Sequence, residues 1–441
     1  MKKNIYTTTF ILISCILFLS FAVGLLKNPY GSQRQIFFMS MNNFFADFFN
    51  ILHYIADRDP YFNPRYGGGA KTYFPLTYVI LYPFSQLDNF NIMTLQEARN
   101  SRMGIMSLFL FTGFSVSLFL IALHKIIKKY FLSPLLLVSL VLSYIFFFSI
   151  ERGNTVILSA AFIGFFICYY DSDNKYENMF AIISLALAAT LKIYPVLFGF
   201  LYFEKKQYRE ILLGAIITLL LVFLPFSFLK RSSHINILQL INNMGASVGS
   251  NVVIAGTHFS RAYPRFRVAH LIFRILLQLK FSGRIILSLS NIAQYITYFI
   301  CFSSIVFSCL IKNKWLKISL LTMAFIFLPA DSGLYCGLYV FPMIILFFGT
   351  LKERSKLFNI FTIIAFIIFL NPYQIISKEG DSINYLLANI ALLMLWIVLL
   401  IYSGKQIIVS KIIFKIKMTV INKLGTLKKN LFSQKERTID T

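Results

Sequence analysis

The stretch MGIMSLFLFTGFSVSLFLIALHKIIKKY, Met103 to Tyr130, decides the architecture. Its first part, Met103 to Leu123, is an apolar run of about twenty positions, the length that spans a bilayer core of roughly 30 Å as a helix. It then stops in the basic loop HKIIKKY, the kind of segment that stays on the cytoplasmic side of a membrane.

The same alternation recurs along the chain. Apolar runs occupy Tyr6 to Leu26, Phe131 to Ile150, Thr155 to Tyr170, a broken pair at Met179 to Leu191 and Ile193 to Phe203, and Ile211 to Leu229. Further runs follow at Ile285 to Ile311, Ile318 to Ala330, Gly337 to Leu351, Leu357 to Tyr373 and Tyr385 to Tyr402. With Met103 to Leu123 they predict an all-α integral membrane protein of about twelve transmembrane or re-entrant helices, both termini cytoplasmic. The basic loops FEKKQYRE, KNKWLK and LKERSK then fall on the cytoplasmic side too. Met1-Lys2-Lys3 ahead of the first run resembles a signal peptide, but no small-x-small cleavage site follows, so an uncleaved first span is expected.

Composition agrees. Of 441 residues 58% are hydrophobic and 49 are Phe, more apolar surface than a soluble core uses. The formal charge of +25 is broken into short clusters between apolar runs, which is topology rather than a nucleic-acid face. The five cysteines form no CxxC pair and lie in or beside apolar runs, so neither a disulfide framework nor a zinc site is implied.

Two long extracytoplasmic loops are expected, 27–102 and 230–284, within one polytopic domain over 1–403; a basic cytoplasmic tail, 404–441, rests on the inner leaflet. The first loop contains YFPLTYVILYPF, Tyr73 to Phe84, too short to cross and expected to dip into the membrane or lie along it. The second ends in RFRVAHLIFRILLQLK, where Val268, Leu271, Ile272, Ile275, Leu276 and Leu279 keep helical spacing, an amphipathic interfacial helix.

Acids are scarce, 17 in the chain, yet NNFFADFFNILHYIADRDPYFNPRYGGG (Asn42 to Gly69) holds Asp47, Asp57 and Asp59. Phe44, Phe45, Phe48, Ile51, Leu52 and Ile55 place Asp47 on a short helix at the membrane surface. A carboxylate there is either a desolvated general base or an ordinary helix-capping or solvated acid. Lys192 interrupts an apolar stretch, and a lysine at membrane depth costs about 3 kcal/mol on insertion scales, so it is either functional or snorkelling. Arginine concentrates on the outer side and lysine on the inner. The outer arginines suit an anionic ligand held bidentately, or lipid headgroups.

Three stretches are similar to the membrane glycosyltransferases of family 87. ADFFNILHYIADRDPYFNPRYGGGAKTYFPLTYVILYPF resembles the family's first extracytoplasmic loop, ERGNTVILSAAFIGFFICYY its R-G-(Q/N) span, and AIISLALAATLKIYPVLFGFLYFEKKQYRE its K-x-Y-P segment. FLPADSGLYCGLYVFPMIILFF resembles a late tyrosine-proline motif. Tyr73-Phe74-Pro75 departs from the family's Y-P-P. The resemblance implies a C-type glycosyltransferase fold, an active site at the extracytoplasmic face of a bacterial inner membrane, and a polyprenyl-phosphate sugar donor. Asp47 keeps the position of the family's base. Asp59, in Asp59-Pro60-Tyr61, matches a second recurring position that is catalytic support or structure.

On this reading Lys192, Arg152 and Arg261 hold the donor phosphate, with Asp57, Asp59, Tyr73, Tyr194, His258 and Asp331 in supporting places. Each has a plainer alternative: Arg152 as a surface pair with Glu151, Arg261 and His258 as a headgroup loop, Asp331 as a helix end, and Tyr54, Tyr61 and Tyr73 as core packing. Displacing a lipid phosphate from an anomeric carbon needs a base and fixed cations, and no metal is required if arginine and lysine provide the charge; no cofactor is expected. The acceptor expected is a glycan or glycolipid. Two rivals stand beside this reading: a lipid or polysaccharide flippase, for which two related halves and midplane polar residues would speak, and a surface-polysaccharide polymerase or ligase, for which a large basic outer loop would speak.

Overall fold

The computed structural model describes residues 5–28, 44–65, 71–257, 279–329, 333–351, 354–375 and 386–408, with isolated positions between them. Among these residues the fold is all helical. The helices are α1 Ile5–Lys27, α2 Ala46–Ile55, α3 Pro75–Ser85, α4 Leu95–Asn100, α5 Arg102–Lys129, α6 Leu135–Val141, α7 Tyr144–Arg152, α8 Val156–Tyr169, α9 Lys175–Leu191 and α10 Phe200–Glu204. They continue with α11 Tyr208–Phe223, α12 Ser233–Thr257, α13 Gly283–Leu310, α14 Lys314–Phe327, α15 Val340–Gly349, α16 Lys356–Leu370 and α17 Leu386–Ile408.

Five described helices are long and apolar enough to cross a membrane: α1, α5, the run Tyr208–Phe228, α13 and α17. The expected span over Phe131 to Ile150 is broken instead, α6 and α7 meeting at 56°. The cause is local: Ser143 leaves the helical conformation and its Oγ accepts from the Phe146 N–H at 3.4 Å, starting a new helix. Counted as one bent span, this pair makes six.

At the centre, α8 is too short to cross alone, about 21 Å at 1.5 Å per residue, and nearly all its side chains are buried. It packs between α5 and α9. Gly164 allows this: a Cβ there would lie 2.9 Å from the Ala122 Cβ, so small residues bring the two backbones together. Ser159 Oγ donates to the Ala188 carbonyl of α9 at 3.1 Å and accepts from the Tyr339 hydroxyl at 2.7 Å, satisfying polar groups inside the bundle. By contrast α11 has no fully buried side chain, as fits a helix bathed in lipid.

The hairpin of α8 and α9 has two chemically different ends. At one, the turn carries Asp171, whose carboxylate accepts from Lys129 Nζ at 3.1 Å and Lys314 Nζ at 2.6 Å. Burial opposes that charge, but the two lysines outweigh it and hold the carboxyl below its ordinary range. At the other end lie Asn154, just before α8, and Lys192, just after α9.

Above that second end sits a smaller core built by the first loop, in which Phe48, Leu52, Tyr54 and Ile55 of α2 pack with Tyr61, Tyr78, Leu81 and Phe111. Among its described residues the loop holds three α-helices and the short 3-10 helix Pro60–Phe62. Its Tyr73 to Phe84 run forms α3, started by Pro75 in its first turn. The second loop holds α12, which spacing alone did not anticipate. Of the expected amphipathic helix near its end, Val268, Leu271, Ile272, Ile275 and Leu276 are helical, while Arg267, His270 and Arg274 lie outside the described residues. So does most of the 404–441 tail.

Candidate active site

The chain enters α2 through Phe45, whose backbone is left-handed (φ 56°) and whose N–H donates to the Glu151 carbonyl at 2.8 Å. That bond sets the start of α2 beside the end of α7. Phe48, one turn on, stacks on Phe111 with centroids 5.5 Å apart. The buried stripe faces the bundle and leaves Asp47 on its edge, its side chain 17% exposed.

Arg152 ends α7, and Gly153 follows with φ +60° as its left-handed cap. Reversing the chain at Gly153 puts the residues on either side of it onto the same carboxylate. Arg152 reaches Asp47 with two nitrogens: Nε donates to Oδ2 at 3.3 Å and Nη2 to Oδ1 in a closer contact. Asn154 Nδ2 donates to the same Oδ2 at 2.7 Å and also to the Tyr73 hydroxyl at 3.2 Å. The Asn154 amide cannot be turned over, because its Oδ1 accepts the Val156 N–H at 3.0 Å. A carboxylate offers about four lone-pair sites. Arg152 and Asn154 occupy three of them and leave one on Oδ1.

Tyr73 joins this cluster to the other cation. Lys192 breaks away from α9 in an extended conformation and holds its Nζ 4.3 Å from the centre of the Tyr73 ring and 5.8 Å from that of Tyr335. Tyr335 is itself stacked on Phe148 of α7. The structure thus brings Asp47, Arg152, Tyr73 and Lys192 into one connected group, with Asn154 and Tyr335 completing it. Spacing had not singled out Asn154, although it stands inside the quoted ERGN stretch.

Other expected residues lie elsewhere. Asp59 is gripped through both oxygens by Arg231 Nε, at 3.1 and 2.9 Å. Asp57 is exposed and accepts only a long bond from Asn91, at 3.4 Å, among the described contacts. Tyr194 packs partly buried on the main core. Arg261, His258 and Asp331 lie outside the described residues.

Two further buried ionisable groups lie in the first loop. Lys71 is almost wholly covered, its Nζ 5.3 Å from the Tyr54 ring centre, and burial lowers its pKa. The backbone carbonyls of Lys71 and Tyr61 accept from Asn243 Nδ2 at 3.3 and 3.2 Å, which ties α12 to the first loop. His53 of α2 takes the Arg65 Nη1 proton on Nδ1 at 2.9 Å; burial and then Arg65 lower its pKa.

The apolar helices and the ionic group set between them define a membrane protein with a polar reaction-type site at one end of its central hairpin. Residues 72–278, somewhat under half of the chain, match the model of glycosyltransferase family 87, so the chain carries a domain of that family and is a membrane glycosyltransferase. The matched stretch contains Tyr73, Arg152, Asn154 and Lys192, and Asp47 precedes it. No curated protein matches the chain.

Proposed function

We propose that this glycosyltransferase takes a sugar from a polyprenyl-phosphate donor and transfers it, with inversion, to a glycan or glycolipid. The reaction takes place at the extracytoplasmic face of a bacterial inner membrane, in a chain of about twelve crossings with both termini in the cytoplasm. The observation that carries this reading is the linkage of one carboxylate, Asp47, directly to Arg152 and, through Asn154 and Tyr73, to Lys192.

Asp47 removes the proton of the acceptor hydroxyl while that oxygen attacks the anomeric carbon. The bond from that carbon to the phosphate oxygen breaks on the opposite side, and the electron pair leaves with polyprenyl phosphate. One displacement inverts the configuration. Charge grows on the departing phosphate, where a guanidinium that binds oxyanions bidentately and a nearby ammonium stabilise it. Arg261 is proposed as a third phosphate ligand, with His258 and Asp331 as supporting residues.

The test is transfer by the purified full-length protein from radiolabelled polyprenyl-phosphate sugars. Transfer is expected from these donors, with Asp47→Asn lowering kcat by about 10²- to 10⁴-fold. Transfer from nucleotide sugars alone, or full activity in Asp47→Asn, would overturn the proposal.

A further inference from the structure

We infer that the Asp47–Arg152 pair is a lock on the base, which the donor's phosphate opens by taking Arg152 for itself. This rests on the proposed donor and on the proposed role of Asp47. The two groups assigned to opposite ends of the reaction are bonded to each other, Nε and Nη2 of Arg152 meeting both oxygens of Asp47. The described contacts leave the carboxylate one lone-pair site, on Oδ1, and an acceptor hydroxyl must share that oxygen with Nη2 of Arg152.

The geometry supplies what an exchange needs. Arg152 is the last residue of α7 and carries its guanidinium on a long side chain, so a rotamer change is the least movement that would carry it from one anion to another. A phosphate presents the same pair of oxygens as a carboxylate and matches the guanidinium fork equally well. Lys192, held over Tyr73, adds a second positive charge on the phosphate's side of the cluster.

Asp47 does not lose its aim when Arg152 departs. Asn154 keeps its own bond to Oδ2 at 2.7 Å, and Asn154 is buried and pinned to the first turn of α8 by Val156. Asn154 is therefore a positioning residue, which holds the carboxylate in both states. Only the Arg152 bonds are exchanged, and they leave both Asp47 oxygens open to an acceptor. The consequence is order: the donor binds first, and both oxygens of the base are open only when there is a sugar to transfer.

Binding of sugar-free polyprenyl phosphate to the solubilised full-length protein tests this without catalysis. Asp47→Asn removes Arg152's competing partner and is expected to bind about tenfold tighter than wild type. In an Arg152→Gln background the same substitution is expected to change affinity less than twofold. A gain of equal size in both backgrounds is simple charge repulsion and overturns the lock, as does measurable wild-type binding with no gain in Asp47→Asn. Either result leaves the donor reading standing, whereas no binding by any of the four proteins overturns both. A second measurement needs no variant: initial-rate patterns of the wild-type enzyme show donor adding before acceptor, and random addition overturns the lock.

Discussion

Gly153 touches Phe48 so closely that a Cβ at position 153 would stand 2.9 Å from the Phe48 Cβ. Its backbone is also left-handed, φ +60°. Two separate costs therefore meet any other residue there: about 1–2 kcal/mol for the conformation and roughly 1–3 kcal/mol for overpacking. Since Arg152 and Asn154 hang from the same turn, the damage extends to Asp47. Gly153→Ala is expected to lower the thermal midpoint by several degrees and transfer by more than about tenfold. Gly153→Asn separates the causes, because asparagine accepts the left-handed backbone but still meets Phe48. An unshifted midpoint in the alanine variant would refute the account.

Tyr73 does two jobs with two parts of its side chain. The hydroxyl accepts from Asn154 at 3.2 Å, and the ring lies 4.3 Å from Lys192 Nζ. Tyr73→Phe loses the hydrogen bond alone, worth about 0.5–1.5 kcal/mol, and is expected to lower kcat up to roughly tenfold with little change in donor KM. Tyr73→Leu also removes the ring under Lys192, worth about 0.5–2 kcal/mol, and is expected to raise donor KM as well. Steady-state kinetics on both variants checks the split, and a donor KM that rises equally in the two would count against it.

Some of this was legible beforehand and some was not. The apolar period of Phe44 to Ile55 placed Asp47 on the edge of a short helix, because one buried stripe leaves its flanks exposed. The break at Lys192 was readable for a similar reason: a charge and then Pro195 inside an apolar run end a helix. The Arg152–Asp47 pair was not, since 105 positions separate the two and no periodicity links them. Helix α12 was hidden by its composition. Its Asn, Ser and Gly residues in SHINILQLINNMGASVGSNVVIAGT resemble a polar loop, and tertiary contacts, such as Asn243 bonding to the first loop, outweigh weak propensity.

The two first-loop aspartates are expected to behave differently. Asp59 is bonded to Arg231, which is nearly half exposed and also lies 3.9 Å from the centre of the Phe62 ring. With its guanidinium that open to solvent, the pair contributes about 0–1 kcal/mol. Asp59→Asn and Arg231→Gln are expected to keep transfer within about threefold of wild type and to shift the thermal midpoint by only a few degrees. Asp47→Asn is expected to lower transfer by about 10²- to 10⁴-fold while the protein stays folded. Measuring all three in one assay checks the assignment: equal losses from Asp59→Asn and Asp47→Asn would make Asp59 part of the chemistry.

His53 gives the first loop a pH dependence of calculable sign. The imidazole accepts the Arg65 Nη1 proton on Nδ1 at 2.9 Å and bonds the Phe90 backbone with its other side, an arrangement that only the neutral ring satisfies. Burial, then the Arg65 charge, lower its pKa from the ordinary 6.5. Below 6.5 the unfolded segment therefore takes up a proton that the folded one resists, so the folded state is disfavoured as pH falls. The contribution is complete above 6.5, is lost between that value and the lowered folded pKa, and is absent below it. Arg65 also bonds the Met93 carbonyl at 2.6 Å, so the loss spreads from α2 toward α4. Amide exchange over 46–65 is expected to quicken as pH falls from about 7.5 to 5, after correction for intrinsic rates. In His53→Gln, whose side-chain oxygen can still accept from Arg65, that dependence is expected to vanish. Protection that stays flat to pH 5 in the wild type would show that His53 does not hold the loop.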